Sequence, residues 1–212
     1  MVSMMIAPET LAAFTAVSLL LCVAPGPDNL FVLTQSALYG RMAGLTVTLG
    51  LCTGLIVHTA AVALGVAALI KASPLAFSLL KYAGAAYLLY LAWLALRAGP
   101  DTLSTRRAAQ PDSWQLYRRG IIMNVTNPKV TLFFLALLPQ FADPARSALW
   151  PQIVLLGIVF MLSTLLVFGL VAFLAGSIGQ WFGRSPRAQH SLHVLAGLVY
   201  TGLALRLLMS EL

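Results

Sequence analysis

Charged side chains are scarce in this sequence: they make up 9% of its 212 residues, against 60% hydrophobic, and the mean hydropathy is +0.90. Soluble domains carry roughly 25% charged and about 45–50% apolar residues. A water-exposed globule is therefore excluded, because too few charges remain to coat it. Cysteine is nearly absent. Cys22 and Cys52 both fall inside apolar runs, which excludes a disulfide framework and reads as two small buried hydrophobes. The apolar runs hold one carboxylate and no clustered His or Cys pairs at ligand spacing, so no metal and no other cofactor is expected, and the chain is not read as an enzyme. The net charge of +7 is scattered and forms no basic stripe with interleaved aromatics, which argues against nucleic acid as a partner. A signal peptide's basic n-region is missing and the first apolar run ends in no A-x-A-like site, so that run is read as a retained span.

What is present is a series of apolar runs of the length that crosses a hydrocarbon core, about 20 residues. In lipid the backbone must satisfy its own polar groups, and runs of this length select helices over barrel strands. Leu11–Leu38, Met42–Ile70 and Leu75–Leu96 form a first group of three. Gly120–Leu138, Ile153–Ile178 and Leu192–Met209 form a second, across a polar stretch from Arg97 to Arg119. The expected fold is all-α: a polytopic membrane protein of six transmembrane helices, one domain over residues 1–212. Its first repeat covers about 9–97, a solvated connector about 98–117, and its second repeat about 118–212. Arg41, Arg97, Arg106, Arg107, Arg118, Arg119, Arg184 and Arg187 all fall in loops on one side, so the positive-inside rule puts both termini outside the cytoplasm. Trp93, Trp114, Trp150 and Trp181 stand near span ends, as interfacial anchors do, and His190 and His193 are read as interfacial too. Gly40 with Gly44, Gly50 with Gly54, and Gly179 with Gly183 have the small-x-x-x-small spacing of close helix packing.

The first span of each group carries a proline break, Ala24-Pro25-Gly26-Pro27-Asp28-Asn29 in one and Asn124-Val125-Thr126-Asn127-Pro128-Lys129 in the other. Aligning Pro27 with Pro128 sets Asp28 opposite Lys129. With three spans per copy, the second copy enters the membrane in the opposite sense, an inverted-topology repeat. Proline removes a backbone donor and clashes with the preceding turn, so Pro25, Gly26, Pro27 and Pro128 free polar groups at mid-membrane depth. Such backbone is tolerated only inside protein or beside a cavity. Half-helices beginning at the breaks turn amide hydrogens toward that cavity, which suits a carboxylate.

Asp28 is the sole acid within a span and costs at least ~2.5 kcal/mol to place there. Two readings stand: Asp28 pairs with Lys129 or caps its half-helix, or Asp28 titrates during a transport cycle while Lys129 meets an anion. A zwitterionic amino acid would satisfy both charges. Asn29 and Asn127 flank the breaks, and Gln35 and His58 are secondary candidates. Tyr82, Tyr87, Tyr90 and Trp93 on the third span are candidates for an apolar or cation-accepting wall.

The paired motifs, together with Gly40-Arg41, Gly44, Gly120 and Leu138-Pro139-Gln140-Phe141, resemble the LysE/RhtB family of amino-acid exporters over essentially the whole chain. The resemblance implies a six-helix bacterial inner-membrane exporter of amino acids or close derivatives, driven by the proton or membrane potential. Its polar centre would be Asp28, Asn29, Asn127 and Lys129. The mechanism expected is alternating access around the paired breaks, with a proton on Asp28 exchanged for substrate. Because no second intramembrane acid awaits a basic side chain, a neutral amino acid is the preferred cargo. The lipid bilayer and a proton are the other partners, and a homo-oligomer is left open. An ion or metal transporter on the same scaffold, or a thiol redox carrier using Cys22 and Cys52, are the rival readings.

Overall fold

The computed structural model describes residues 5–72, 74–98, 111–184 and 186–209, leaving out the side chains of 66–72, 74, 76, 77, 176–184, 186 and 188. Connector residues 99–110, with Arg106 and Arg107, lie outside the described residues, as do the side chains of Lys71, Trp181 and Arg184. The elements are helical: α1 Pro8–Val23, α2 Pro27–Tyr39, α3 Arg41–Ala72, α4 Pro74–Arg97, α5 Ser113–Thr126, α6 Pro128–Leu132, α7 Leu149–Arg184 and α8 Pro186–Met209. From α6 the chain continues as a π-helical turn, Phe133–Leu137, and a 3-10 turn, Leu138–Phe141. Five of the helices begin at a proline, whose fixed φ suits a first turn and whose missing N–H is not needed there. Asp112 caps α5, its carboxylate accepting from the Gln115 amide at 2.7 Å.

Four helices, α3, α4, α7 and α8, are long and apolar enough to cross a membrane. The α1–α2 pair is bent by 58° and the pair running from α5 through Phe141 by 50°, so the spans number six when each bent pair is one. Both expected proline breaks are therefore real interruptions of the helix. The surface is apolar, with Leu64, Ile122, Phe173 and Leu198 all more than half exposed, while Asp28, His58, Asn124 and Gln152 are buried. That inversion of the soluble pattern fits lipid as the surrounding solvent. Trp93, Trp114 and Trp150 lie exposed near helix ends, in keeping with an aromatic belt.

Helix α3 packs most extensively on α5 and α7, α4 packs on α8, and α7 also receives α1 and α2. Glycine makes the α3–α5 seam possible. A Cβ built at Gly50 would lie 3.0 Å from the Gly120 Cα and closer still to the Tyr117 carbonyl, so two backbones meet there directly. Gly40 joins α2 to α3 with φ 88°, a conformation that glycine alone adopts readily. The buried hydroxyls of Ser18, Ser36, Thr48 and Thr164 each donate to the carbonyl one turn earlier, so the packed interior holds few unpaired donors.

Candidate functional site

Each break is closed by local chemistry. Helix α1 ends at Val23 with the Ala24 amide donating to Leu20 at 2.8 Å, and Gly26 then runs extended into Pro27. The Asn29 side-chain amide reaches back to the Cys22 carbonyl, holding the bend from within. At the second break Asn127 caps α6: its side-chain oxygen accepts from the Lys129 amide at 3.0 Å, while its carbonyl accepts from Val130 and Thr131.

Lys129 crosses from one break to the other. Its ammonium donates to the carbonyls of Leu21 at 3.0 Å and Ala24 at 3.1 Å, the unsatisfied end of α1, and stands 5.7 Å from the centroid of the Tyr200 ring. A cation at a helix C-terminus is favourable, and here it is supplied by the opposite half of the chain. The direct pairing of Lys129 with Asp28, one of the two readings of the sequence, does not occur; among the described residues the ion pair within 4.0 Å is Arg146 with Asp143, at 3.6 Å. Nor does Asp28 cap its half-helix, since Gly26 holds the N-cap position without a side-chain bond.

Asp28 lies behind the break, off the lining of the cavity that Lys129 enters, though the two charges still act on one another. It is 6% exposed, and besides Lys129 its neighbours are Asn127, Asn124 and His58. One of its carboxyl oxygens and the Asn124 side-chain oxygen are buried without a hydrogen-bond partner. The His58 Nε2 lies 3.2 Å from the Asn124 carbonyl oxygen, with its ring 5.6 Å from that of Phe134. Gln35 is buried too, its side-chain oxygen unpartnered.

On the other side opens a cavity of about 510 Å³, within the range of small-molecule sites. Pro25, Gly26, Pro27, Asn127, Pro128 and Lys129 form its floor, and Tyr87, Tyr90 and Tyr200 stand on its walls. Tyr82 and Trp93 of the expected aromatic wall are not part of it; both are exposed on the outer face of α4. Its lining runs along α4 from Tyr87 to Ala98, ~16 Å at 1.5 Å per residue, toward the membrane face that carries Arg97 and Arg187. His193, read from sequence as interfacial, is buried in this wall, because α8 turns that face toward α4 rather than toward lipid. Toward the opposite face the breaks are backed by packed aromatics: Phe133 lies 6.0 Å from Phe14 and 4.9 Å from Phe160, Phe141 lies 5.0 Å from Phe14, and the Arg206 guanidinium sits 3.9 Å over Phe141.

Cys22 and Cys52 are free and buried, and Cys22 lies 3.5 Å from the Thr164 hydroxyl. Among the described residues no group of three or more His, Cys, Asp or Glu converges as metal ligands would. Asn124 and Tyr200 are the residues that sequence reasoning passed over, and His193 is one that it placed at the interface. An amide mid-span beside a break, and a tyrosine well inside the last span, were the signals available.

A family model described as LysE type translocator matches residues 19–211. A protein of Salmonella typhimurium named homoserine/homoserine lactone efflux protein is 35% identical over 191 residues, covering 89% of this chain and 90% of its own. A Vibrio cholerae protein named an uncharacterized membrane protein is 34% identical over 191 residues, 90% of this chain and 92% of that one. The Bacillus subtilis membrane protein YrhP is 26% identical over 207 residues, with 93% and 98% covered. No solved structure matches the chain.

Proposed function

The chain belongs to the family of LysE type translocators, membrane transporters rather than enzymes, and from that premise we propose that it exports a neutral amino acid or close derivative across the bacterial inner membrane by proton-coupled alternating access. The observation that carries the reading is the cavity at the paired breaks, which opens toward the Arg-rich face and is backed by phenylalanines toward the other. By the positive-inside rule the Arg-rich face is cytoplasmic and both termini lie outside, so the site is open where an exported cargo loads. The efflux protein from Salmonella typhimurium supports an amino-acid-derived cargo.

The two halves, 9–97 and 118–212, act as inverted repeats in one transmembrane domain. Helix pairing supports this: second span with fifth, third with sixth, first with fifth and fourth with second are the contacts a pseudo-two-fold axis in the membrane plane would generate. Lys129 receives the carboxylate, with Asn127 beside it. Asp28 carries the proton behind the break, where Asn127 and Asn124 share its surroundings, and Asn29 holds the bend on which both depend. Protonation of Asp28 and occupancy of the cavity each bias α2 and α6, and through them the packing of Phe133 and Phe14.

The test is efflux of a panel of labelled amino acids from vesicles reconstituted with the full chain, with and without a proton gradient. Asp28→Asn should insert normally and lose gradient-driven efflux. Wild-type, gradient-dependent rates in that variant would remove Asp28 from coupling, and silence of the whole panel would remove the export reading.

A further inference from the structure

Gly26 is a glycine that neither the backbone nor the packing requires. At Gly40 a φ of 88° calls for glycine, and at Gly50 a Cβ would fall 3.0 Å from the Gly120 Cα. Gly26 meets neither demand. Its φ of −175° and ψ of 174° are extended geometry, open to other residues before a proline, and a Cβ built on it finds ordinary contacts at 3.4–3.9 Å. Yet Gly26 lines the cavity floor, and the atom nearest to that missing Cβ is the Lys129 ammonium nitrogen, at 3.4 Å.

A lysine ammonium has three hydrogens to donate. Two go to the Leu21 and Ala24 carbonyls, and the Tyr200 ring centroid stands 5.7 Å away, within cation–π range. One hydrogen is left for a cargo carboxylate, whose oxygen has to come within about 2.7–2.9 Å of the nitrogen to take it. A methyl carbon 3.4 Å from the nitrogen would fill part of the space through which that oxygen arrives, and would set apolar surface against the charge. Building on the reading that Lys129 receives the carboxylate, we propose that Gly26 is a specificity-determining residue. Its bare α-carbon is the window through which cargo reaches the Lys129 charge, so this position sets how strongly a carboxylate is preferred.

The full chain in reconstituted vesicles is assayed with the fastest-moving amino acid of the labelled panel and with that compound's amide, against protein-free vesicles. Gly26→Ala should raise the KM for the amino acid about tenfold, the worth of one charge-assisted bond, change kcat less, and narrow the preference over the amide. Its melting temperature in detergent should equal or exceed that of the wild type, because alanine suits the backbone and loses less chain entropy on folding. Added to Lys129→Met, it should change neither KM nor the preference further, since it acts through the ammonium. Reductive methylation with formaldehyde and cyanoborohydride, followed by peptide mass spectrometry, needs no cargo. Lys129 should react more slowly in Gly26→Ala than in the wild type, each relative to the same protein unfolded in dodecyl sulfate. Wild-type KM and labelling in Gly26→Ala, or a loss confined to kcat as a hinge at the break would give, overturns the proposal and leaves Lys129 its role. If Lys129→Met keeps the wild-type preference, or no amino acid moves, the reading beneath falls and this inference with it.

Discussion

Gly50 and Gly54 lie one turn apart on α3 and face the same helix, and a methyl group added to either should force the two helices apart. At Gly50 the added Cβ meets backbone, the Gly120 Cα at 3.0 Å and the Tyr117 carbonyl at shorter range, where ordinary contacts are 3.4–4 Å. Backbone cannot swing aside, so α3 and α5 must part by about half an ångström or more, an overpacking cost of ~1–3 kcal/mol. At Gly54 the added Cβ meets the Asn124 side chain, 2.6 Å from its amide oxygen and 2.7 Å from its Cβ. The amide can rotate but the Cβ is fixed to the α5 backbone, so Gly54→Ala should part the seam as well and, in addition, turn the Asn124 amide away from Asp28. Gly202 supplies the control, since nothing lies within 4 Å of a Cβ there and alanine gains helix propensity of ~0.5–1 kcal/mol. Thermal unfolding in detergent, followed by tryptophan fluorescence, should rank Gly202→Ala at or above wild type and both Gly50→Ala and Gly54→Ala clearly below. Vesicle efflux, compared at equal amounts of folded protein, should rank Gly54→Ala below Gly202→Ala. A Gly50→Ala protein as stable as Gly202→Ala would refute the backbone contact on which the seam is built.

Lys129→Met should lower thermal stability by ~2–4 kcal/mol, because two charge-assisted bonds to the end of α1 are lost, and should abolish selection for a carboxylate over its amide. A melting temperature unchanged from wild type would show that the ammonium does not cap α1. Asn127→Ala removes the cap of α6 and should cost ~1 kcal/mol, read by the same unfolding assay; no change would remove the cap. Replacing both Cys22 and Cys52 by Ala should leave efflux intact, since both thiols are free and buried, whereas loss of activity without loss of fold would restore a thiol role.

The spans and both breaks were legible because their causes are local. Long apolar runs need helices in lipid, and Pro25, Pro27 and Pro128 cannot be passed without freeing backbone. Direction was not legible. Asp28 and Lys129 occupy the same place after their prolines, yet Lys129 lines the cavity and Asp28 does not, and the two breaks bend by different angles, 58° and 50°. His193 escaped for a related reason: α8 is apolar around most of its circumference, so the sequence does not say which face meets α4. Asn124 looked like one more polar residue beside a proline, and only the α3–α5 seam at Gly54 brings it against His58 and Asp28.

The π-helical turn at Phe133–Leu137 gives the segment beyond the second break one residue more than a regular helix would hold. Such a surplus behaves like a dislocation in a crystal: moved along by one position, it rotates the residue it passes by ~100° at 3.6 residues per turn. Phe133 and Phe134 could then be swung out of register with Phe14 and Phe160 while most of the backbone bonds around them persist. For the alternating access proposed above, the energy barrier would be that of a travelling defect rather than of a helix unwinding.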